Sequence, residues 1–206
     1  MELSEVIRRR RMIRSFAAEP IDPALVDRLL AAALRAPTAG NTRGVAWLVL
    51  TGAETATYWE HTSTPEWREA YGRRFAGMSR APVVALSLCS PAAYVNRYGE
   101  PDKLGSGLGP TELGEGGEAA WPVPFWFGDA AFSTMLLLLG AVDAGLAAAF
   151  LGAFRGPELL GALGVPDSWR LFGAVLLGRP DGNDVPSPSL GRRPDPGAGA
   201  VHRSRW

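Results

Sequence analysis

The chain has 206 residues, 47% hydrophobic and 20% charged, the balance of a soluble globular domain long enough for one sizeable core. Lys+Arg and Asp+Glu each number 21, so the net charge is zero, which argues against nucleic-acid binding by bulk field and leaves only a local basic patch. The single cysteine, Cys89, excludes an internal disulfide and any cysteine-rich metal site.

The N-terminus carries four consecutive arginines, Arg8 to Arg11, without the apolar stretch of a signal peptide. Leu3 to Arg11 reads as a short helix with Leu3, Val6 and Ile7 on one face. Asp22-Pro23 opens a second helix, Asp as N-cap and Pro at the first helical position, and Ala36-Pro37 ends it. Val45 to Thr51 is a strand. Thr64-Pro65 starts a helix with Trp67, Tyr71, Phe75 and Met78 on one stripe. Ala81 to Cys89 is a continuous apolar run, the pattern of a central strand, and it marks Cys89 as an inert core thiol.

From Gly99 to Pro124 seven glycines break the pattern into a long irregular loop, a length that in a compact domain is usually functional or disordered. The aromatic cluster Trp121, Phe125, Trp126 and Phe127 follows. Asp129 is read as the N-cap of a helix to about Ala144, stopped by Gly145 and apolar nearly all round. Such a helix is expected to be buried on all sides, and in a chain this small a second subunit would cover part of it. Its most apolar part, Ala130 to Val142, is too short for a membrane span. Strands over Leu146–Leu151 and Leu171–Leu177 flank a short helix over Pro157–Leu163. The alternation gives one α/β or α+β domain over 1–206, with a lid or insert loop at about 94–127 and a C-terminal arm at about 181–206. The arm is Pro- and Gly-rich and carries Arg192 and Arg193; alone it reads as disordered, yet its terminal Trp206 is of a kind that usually docks. A cytoplasmic location is expected, with no membrane and no nucleic-acid partner.

Two motifs carry chemistry. An arginine run on an exposed helix is most often a solvated face. Here Arg10, Arg11 and Arg14 lie where the helix gives way to a turn, so their guanidinium groups can converge on a phosphate through paired hydrogen bonds. The second motif is Ala36-Pro37-Thr38-Ala39-Gly40-Asn41-Thr42, whose small residues let backbone approach a flat ligand and whose Asn offers donor and acceptor to a heterocycle edge. Read alone, that stretch is a plain helix-to-strand loop.

In this order and spacing, Arg-Arg-x-x-Arg-x-Phe, a helix, Ala-Pro-Thr-Ala-Gly-Asn and a strand resemble the nitroreductase-like flavoprotein family. The resemblance continues through Gly128-Asp129-Ala130-Ala131-Phe132, Ala144-Gly145-Leu146, Leu163-Gly164-Val165-Pro166, Leu177-Gly178-Arg179-Pro180 and Arg192-Arg193-Pro194. It implies a central, mainly antiparallel sheet surrounded by helices, and a homodimer with a long buried central helix and two FMN molecules at its interface. Carried over, Arg10, Arg11 and Arg14 contact the phosphate, ribityl chain and pyrimidine side of FMN. Pro37, Thr38, Ala39 and Asn41 line the ring from the same or the partner subunit, Arg192 and Arg193 close over the phosphate, and Ala147 to Leu151 face the ring's other side. Two departures stand out. Met12 stands where the family often has Ser, leaving its backbone N–H for the phosphate, and Asn41-Thr42-Arg43-Gly44 replaces a more usual Asn-x-Gln-Pro, bringing the charge of Arg43 near the flavin.

The implied activity is hydride transfer from NAD(P)H through FMN to a small planar acceptor such as a nitroaromatic or quinone, in ping-pong order. No side-chain acid or base is expected to be essential, and His61 and His202 are structural or exposed. Tyr98, Trp121, Phe125 and Trp126 of the lid would stack on a planar substrate or, equally, fill the dimer interface. The same scaffold would also serve a flavin-storing protein with little turnover, or another flavin reaction such as dehydrogenation, dehalogenation or use of a deazaflavin donor.

Overall fold

A continuous apolar strand in a small domain needs helices on both faces of its sheet, and the chain supplies them. The computed structural model describes residues 1–110, 116–152, 155–189, 191–192 and 200–204. Four strands, β1 (Val45–Thr51), β2 (Val83–Cys89), β3 (Ala147–Leu151) and β4 (Arg170–Gly178), form one sheet in the order β1-β2-β4-β3. Every pairing is antiparallel, and a bulge between Ser87 and Leu88 shifts the β2–β4 register. All seven residues of β2 are buried, as expected of a strand with a neighbour on each edge and a helical layer on each face.

Side-chain alternation along β2 separates the two layers. Val84, Leu86 and Leu88 point to a core shared with α3 (Thr55–Thr62), α4 (Pro65–Met78) and α7 (Gly156–Ala162), through Tyr58, Trp59, Met78 and Leu159. Val83 and Ala85 point to the opposite core, built with α2 (Pro23–Ala33) and α6 (Phe125–Asp143) through Leu29, Leu30, Leu137 and Leu138. A third cluster at the end of the sheet joins Cys89, Tyr94, Trp121, Trp126 and Ala130. Burial there pushes the Cys89 thiol up to about 12, so it stays protonated and inert.

The Ser/Thr/Asp-Pro signature opens three helices. Asp22 Oδ1 accepts from Ala24 N–H at 3.0 Å, Thr64 caps α4 through Trp67 N–H, and Ser90 caps α5 (Pro91–Tyr98) through Ala93 N–H. The third of these was open to the same reading in the sequence but lay hidden behind the glycine-rich stretch that follows it. Helix α3, with three threonines among its eight residues, has little helical propensity and owes its start to a capping box between Thr51 and Glu54.

Two expectations need correction. Helix α1 (Leu3–Arg9) stops two residues before Arg11, because the chain is drawn out along the free edge of β3: Ile13 N–H donates to Ala148 C=O, and Phe16 bridges Pro180. Helix α6 starts at Phe125, so Asp129 is no cap but an interior residue, 2% exposed. In the single chain α6 leaves Phe132, Met135 and Leu136 54%, 45% and 37% exposed, a side that the expected second subunit would have to cover. At 19 residues α6 is long and apolar enough to cross a bilayer, but its packing against α2 and the sheet, with Asp129, Ser133 and Thr134 in internal hydrogen bonds, makes it the central helix of the fold.

Candidate functional site

The arginine run divides by the partners its members find. Glu5 takes Arg8 Nε and Nη2 at 2.8 and 2.7 Å and also Arg9 Nε, and these two arginines hold its carboxyl below the usual range. Arg11 Nη1 donates back to the carbonyls of Arg8 and Arg10, satisfying the end of α1. Arg10 is half-buried, and its guanidinium makes no hydrogen bond or ion pair with a described residue. The Met12 thioether accepts from Phe150 N–H at 3.4 Å, so that side chain anchors the segment to β3.

Arg14 is the most constrained of the set. Its backbone N–H donates to Asp184 Oδ1 at 2.7 Å and its Nη1 to Met12 C=O at 3.1 Å. Burial, and after it the neighbouring Arg74 guanidinium, lower its hold on its proton, against the smaller opposing pull of Asp184 and Tyr71. The two guanidinium groups line a cavity of about 420 Å³ with Trp67, Tyr71, Leu151 and Gly152. The Trp67 and Tyr71 rings stack there at 4.4 Å. On their other side Arg14 and Arg74 border a smaller cavity of about 220 Å³ with Arg73, Arg80, Asn183 and Asp184. Gly72, at φ 43°, breaks α4 just before the Arg73-Arg74 pair.

The start of the C-terminal arm closes this region. Asp181 accepts from Ser15 Oγ at 2.9 Å and from Arg80 Nη2 at 2.5 Å, while Arg74 Nη2 donates to Val185 C=O. The arm is therefore docked, not loose, through at least Val185. Arg192 is exposed, its N–H donating to Ser189 C=O at 3.0 Å, and Arg193 lies outside the described residues, as does Trp206.

The second motif forms a separate wall. Between Pro37 and Arg43 the backbone is left-handed at Gly40, Asn41 and Arg43, with φ of 62°, 54° and 55°. Ala39 N–H donates to Asp129 Oδ2 at 2.7 Å, Arg43 N–H to Thr38 Oγ1 at 3.2 Å, and Arg97 Nε to Gly40 C=O at 2.8 Å. Thr38, Asn41 and Arg43 border a cavity of about 570 Å³ with Arg35, Asp129 and Ser133. The Arg43 guanidinium makes no bond with a described residue. This cavity shares no lining residue with the Arg14 cavity. The loop leads into β1 and the Arg14 segment lies along β3, the two opposite edges of the sheet.

The four lid aromatics are also divided. Trp121 and Trp126 are 7% and 3% exposed within the third cluster, Trp121 Nε1 donating to Leu108 C=O. Tyr98 is half-buried with its ring edge-on to Trp121 at 4.6 Å, and Phe125 is 43% exposed. His61 is bonded to the Thr57 carbonyl of its own helix.

The Nitroreductase family model matches residues 7–179. The chain belongs to the nitroreductase family. A candidate NADH dehydrogenase/NAD(P)H nitroreductase of Archaeoglobus fulgidus is 25% identical to it over 210 residues, covering 100% of this chain and 99% of that protein. Among solved structures, a nitroreductase family protein of Clostridium difficile superposes with a TM-score of 0.70 at 15% identity, covering 100% of both chains. A candidate nitroreductase of Desulfovibrio desulfuricans, solved in complex with FMN, superposes with a TM-score of 0.65 at 23% identity, covering 94% of this chain and 92% of that one.

Within this nitroreductase fold, sequence reasoning missed Arg74, Arg97, Asp129 and Asp184 as site-forming residues. Arg73-Arg74 looks like the polar face of a helix until Gly72 breaks it. Asp129 sits before an apolar run, which reads as a cap. A lone carboxylate inside a helix with apolar residues on both sides was the available signal.

Proposed function

We propose that this nitroreductase-family chain is an FMN-dependent NAD(P)H oxidoreductase that reduces a small planar acceptor such as a nitroaromatic or quinone in ping-pong order. The observation that carries the reading is Arg14, half-buried and lining with Arg74 the same aromatic-walled cavity. Two like charges held together and partly desolvated are unfavourable until an anionic or electron-rich group lies between them. At about 420 Å³ the cavity falls within the size range of cofactor pockets, roughly 300–1,000 Å³. These residues therefore fit FMN.

Bound there, FMN would supply the hydride-accepting and hydride-donating chemistry. Arg14 and Arg74 would hold the pyrimidine side and favour negative charge on it, which suits two-electron chemistry. Trp67 and Tyr71 would exclude water from the ring, and Phe150, Leu151 and Gly152 would present β3 backbone to one face. Arg10, whose guanidinium is uncommitted, would take the phosphate with Arg192 and Arg193.

The wall from Pro37 to Arg43 faces a different cavity on the other edge of the sheet. For both walls to line one FMN, a second copy of the chain must supply one of them, which supports the homodimer. Tyr98 and Phe125, the lid aromatics with exposed ring surface, are the candidates for stacking on the acceptor.

Flavin retention is the test. Arg14→Ala removes a charge-assisted contact worth about 1.5–3 kcal/mol and should weaken FMN binding by roughly tenfold to a hundredfold. Arg8→Ala, whose guanidinium is already paired with Glu5, should leave it unchanged. Flavin fluorescence titration of the two variants decides it. Equal effects at both positions, or a colourless wild-type protein that ignores added FMN, would overturn the reading.

A further inference from the structure

Left-handed backbone at three of four successive positions, two of them not glycine, is strained at the two that carry side chains and persists only where surroundings over-determine it. In the 38–43 loop the surroundings are specific. Gly40 is obligatory twice over, since a Cβ there would lie 2.7 Å from Tyr98 Cε2 and its φ is 62°. The loop is held at adjacent residues by opposite groups: Ala39 N–H by Asp129 of α6, and Gly40 C=O by Arg97 of α5.

Arg97 uses all of its nitrogens. Nε donates to Gly40 C=O at 2.8 Å, Nη1 and Nη2 grip Asp102 at 2.7 Å each, and Nη1 also reaches Glu100 at 3.0 Å. Its side chain is 20% exposed, whereas Asp102 and Glu100 are 60% and 57% exposed on the segment of the expected lid that follows α5, the helix that takes up its first residues, Arg97 included. An ordinary exposed ion pair contributes little. This one is bidentate, and its guanidinium is fixed at the far end by a backbone carbonyl, the arrangement that gives arginine geometric authority over both partners. Lys103 Nζ lies 5.6 Å from the centre of the Tyr98 ring, a further contact between the same segment and the side chain pressed on Gly40.

We propose that Arg97 is a positioning residue that makes the shape of the Thr38–Arg43 loop depend on the Glu100–Asp102 segment, so that closure of the lid segment and presentation of Thr38 and Asn41 to the cofactor are one event. The coupling is a property of the chain itself; its consequence for FMN rests on the flavin reading above. When Asp102 and Glu100 grip the guanidinium, Nε is aimed at Gly40 C=O and the left-handed turn is held. When the segment swings away, Arg97 is free to follow it, and the turn keeps only its Asp129 anchor and its internal bonds.

Hydrogen exchange on the purified full chain, without added FMN, tests the coupling directly. Both Arg97→Gln and Asp102→Asn should speed exchange of the Asn41 to Arg43 amides, on the order of tenfold for Arg97→Gln and less for Asp102→Asn, which leaves the Gly40 bond in place. Because Asp102 is exposed, its variant stays informative should Arg97→Gln fold poorly. FMN titration then reads the consequence: the Kd should rise in the same order, with partial recovery in Arg97→Lys. Loop exchange unchanged in both variants overturns the coupling. Faster exchange with an unaltered FMN Kd overturns its role at the cofactor. A wild-type chain that takes up no FMN defeats the flavin reading alone, and the exchange rates still decide the coupling.

Discussion

Asp129 offers the sharpest test of how the loop wall is held. Its Oδ2 accepts two hydrogen bonds, from Tyr94 Oη and from Ala39 N–H, each at 2.7 Å. Tyr94 is fully buried, and burial together with this bond raises the affinity of its hydroxyl for the proton, so it serves only as a donor. Replacing Asp129 with Ala strands both donors. Each buried unsatisfied donor costs about 1–3 kcal/mol, partly offset because a buried carboxylate no longer needs desolvation, for a loss of about 2–5 kcal/mol. Replacing it with Asn leaves one carbonyl oxygen with two lone pairs where Oδ2 stood. Both bonds can re-form without charge assistance, and the amide NH₂ can face the 570 Å³ cavity that Asp129 lines, so the loss should be about 1–2 kcal/mol.

Urea unfolding of wild type, Asp129→Asn, Asp129→Ala and Tyr94→Phe measures these values, read as midpoint shifts at constant slope. Tyr94→Phe removes one of the two donors and should fall near the Asn value. In Asp129→Ala, Tyr94→Phe should cost less than in the wild type, because its hydroxyl is already stranded. Asn as damaging as Ala would mean that charge, not acceptor geometry, is what the site uses. A loss in Asp129→Ala below about 1 kcal/mol would mean that water from the cavity reaches both donors, and the argument from burial would fail.

Two further outcomes follow from the same physics. Asp181 is held down to about 2, first by the Asn183 backbone N–H and then by Ser15 and Arg80, so its docking contribution is complete above its ordinary value of about 3.9 and is lost as pH falls through 2. An NMR titration of its side-chain carbon should show that midpoint, and one near 3.9 would undo the docked arm. On α6, Leu136→Glu should convert a dimer into a monomer in sedimentation and weaken FMN retention with it; a monomeric wild type would remove the proposed second wall.

Much of this fold was legible because its signals are local. Asp22-Pro23, Thr64-Pro65 and the apolar run of β2 each state their structure within a few residues, and the order of the two ligand motifs identified the family. What stayed hidden depends on distant partners. Nothing near Arg14 in the chain announces Arg74, and only the fold sets the two guanidinium groups side by side. Trp121 and Trp126 look like stacking platforms in sequence, yet they pack on Tyr94 and Cys89, because a tryptophan after a loop can turn inward as easily as outward. Of the N-terminal arginines, Arg8 and Arg9 were readable as surface pairs because Glu5 stands three and four residues away on the same helix.

Helix α6 resists a sequence reading because it is apolar on its buried side, through Trp126, Leu137, Leu138 and Ala141, and on its bare side alike. Its polar residues face inward: Asp129 to Tyr94 and Ala39, Ser133 to the Trp47 indole at 3.1 Å, and Thr134 to Ser87 at 3.2 Å. Its bare stripe is apolar, and Leu3 and Ile7 of α1 and Leu34 at the C-terminal end of α2, the two helices that contact α6, are likewise exposed. Hydrophobic periodicity assumes that apolar means inside, so it gives no direction on a helix whose few polar residues are satisfied by the protein's own groups. Exposed apolar side chains on neighbouring helices are costly in water where they adjoin. The cavity bordered by the Asn41 loop takes part of its lining from this same helix, through Asp129 and Ser133. In the proposed homodimer, a second copy packed on the stripe would cover it and approach the Asn41 loop in one association, so that a single contact would serve both the exposed side of α6 and the proposed division of the site.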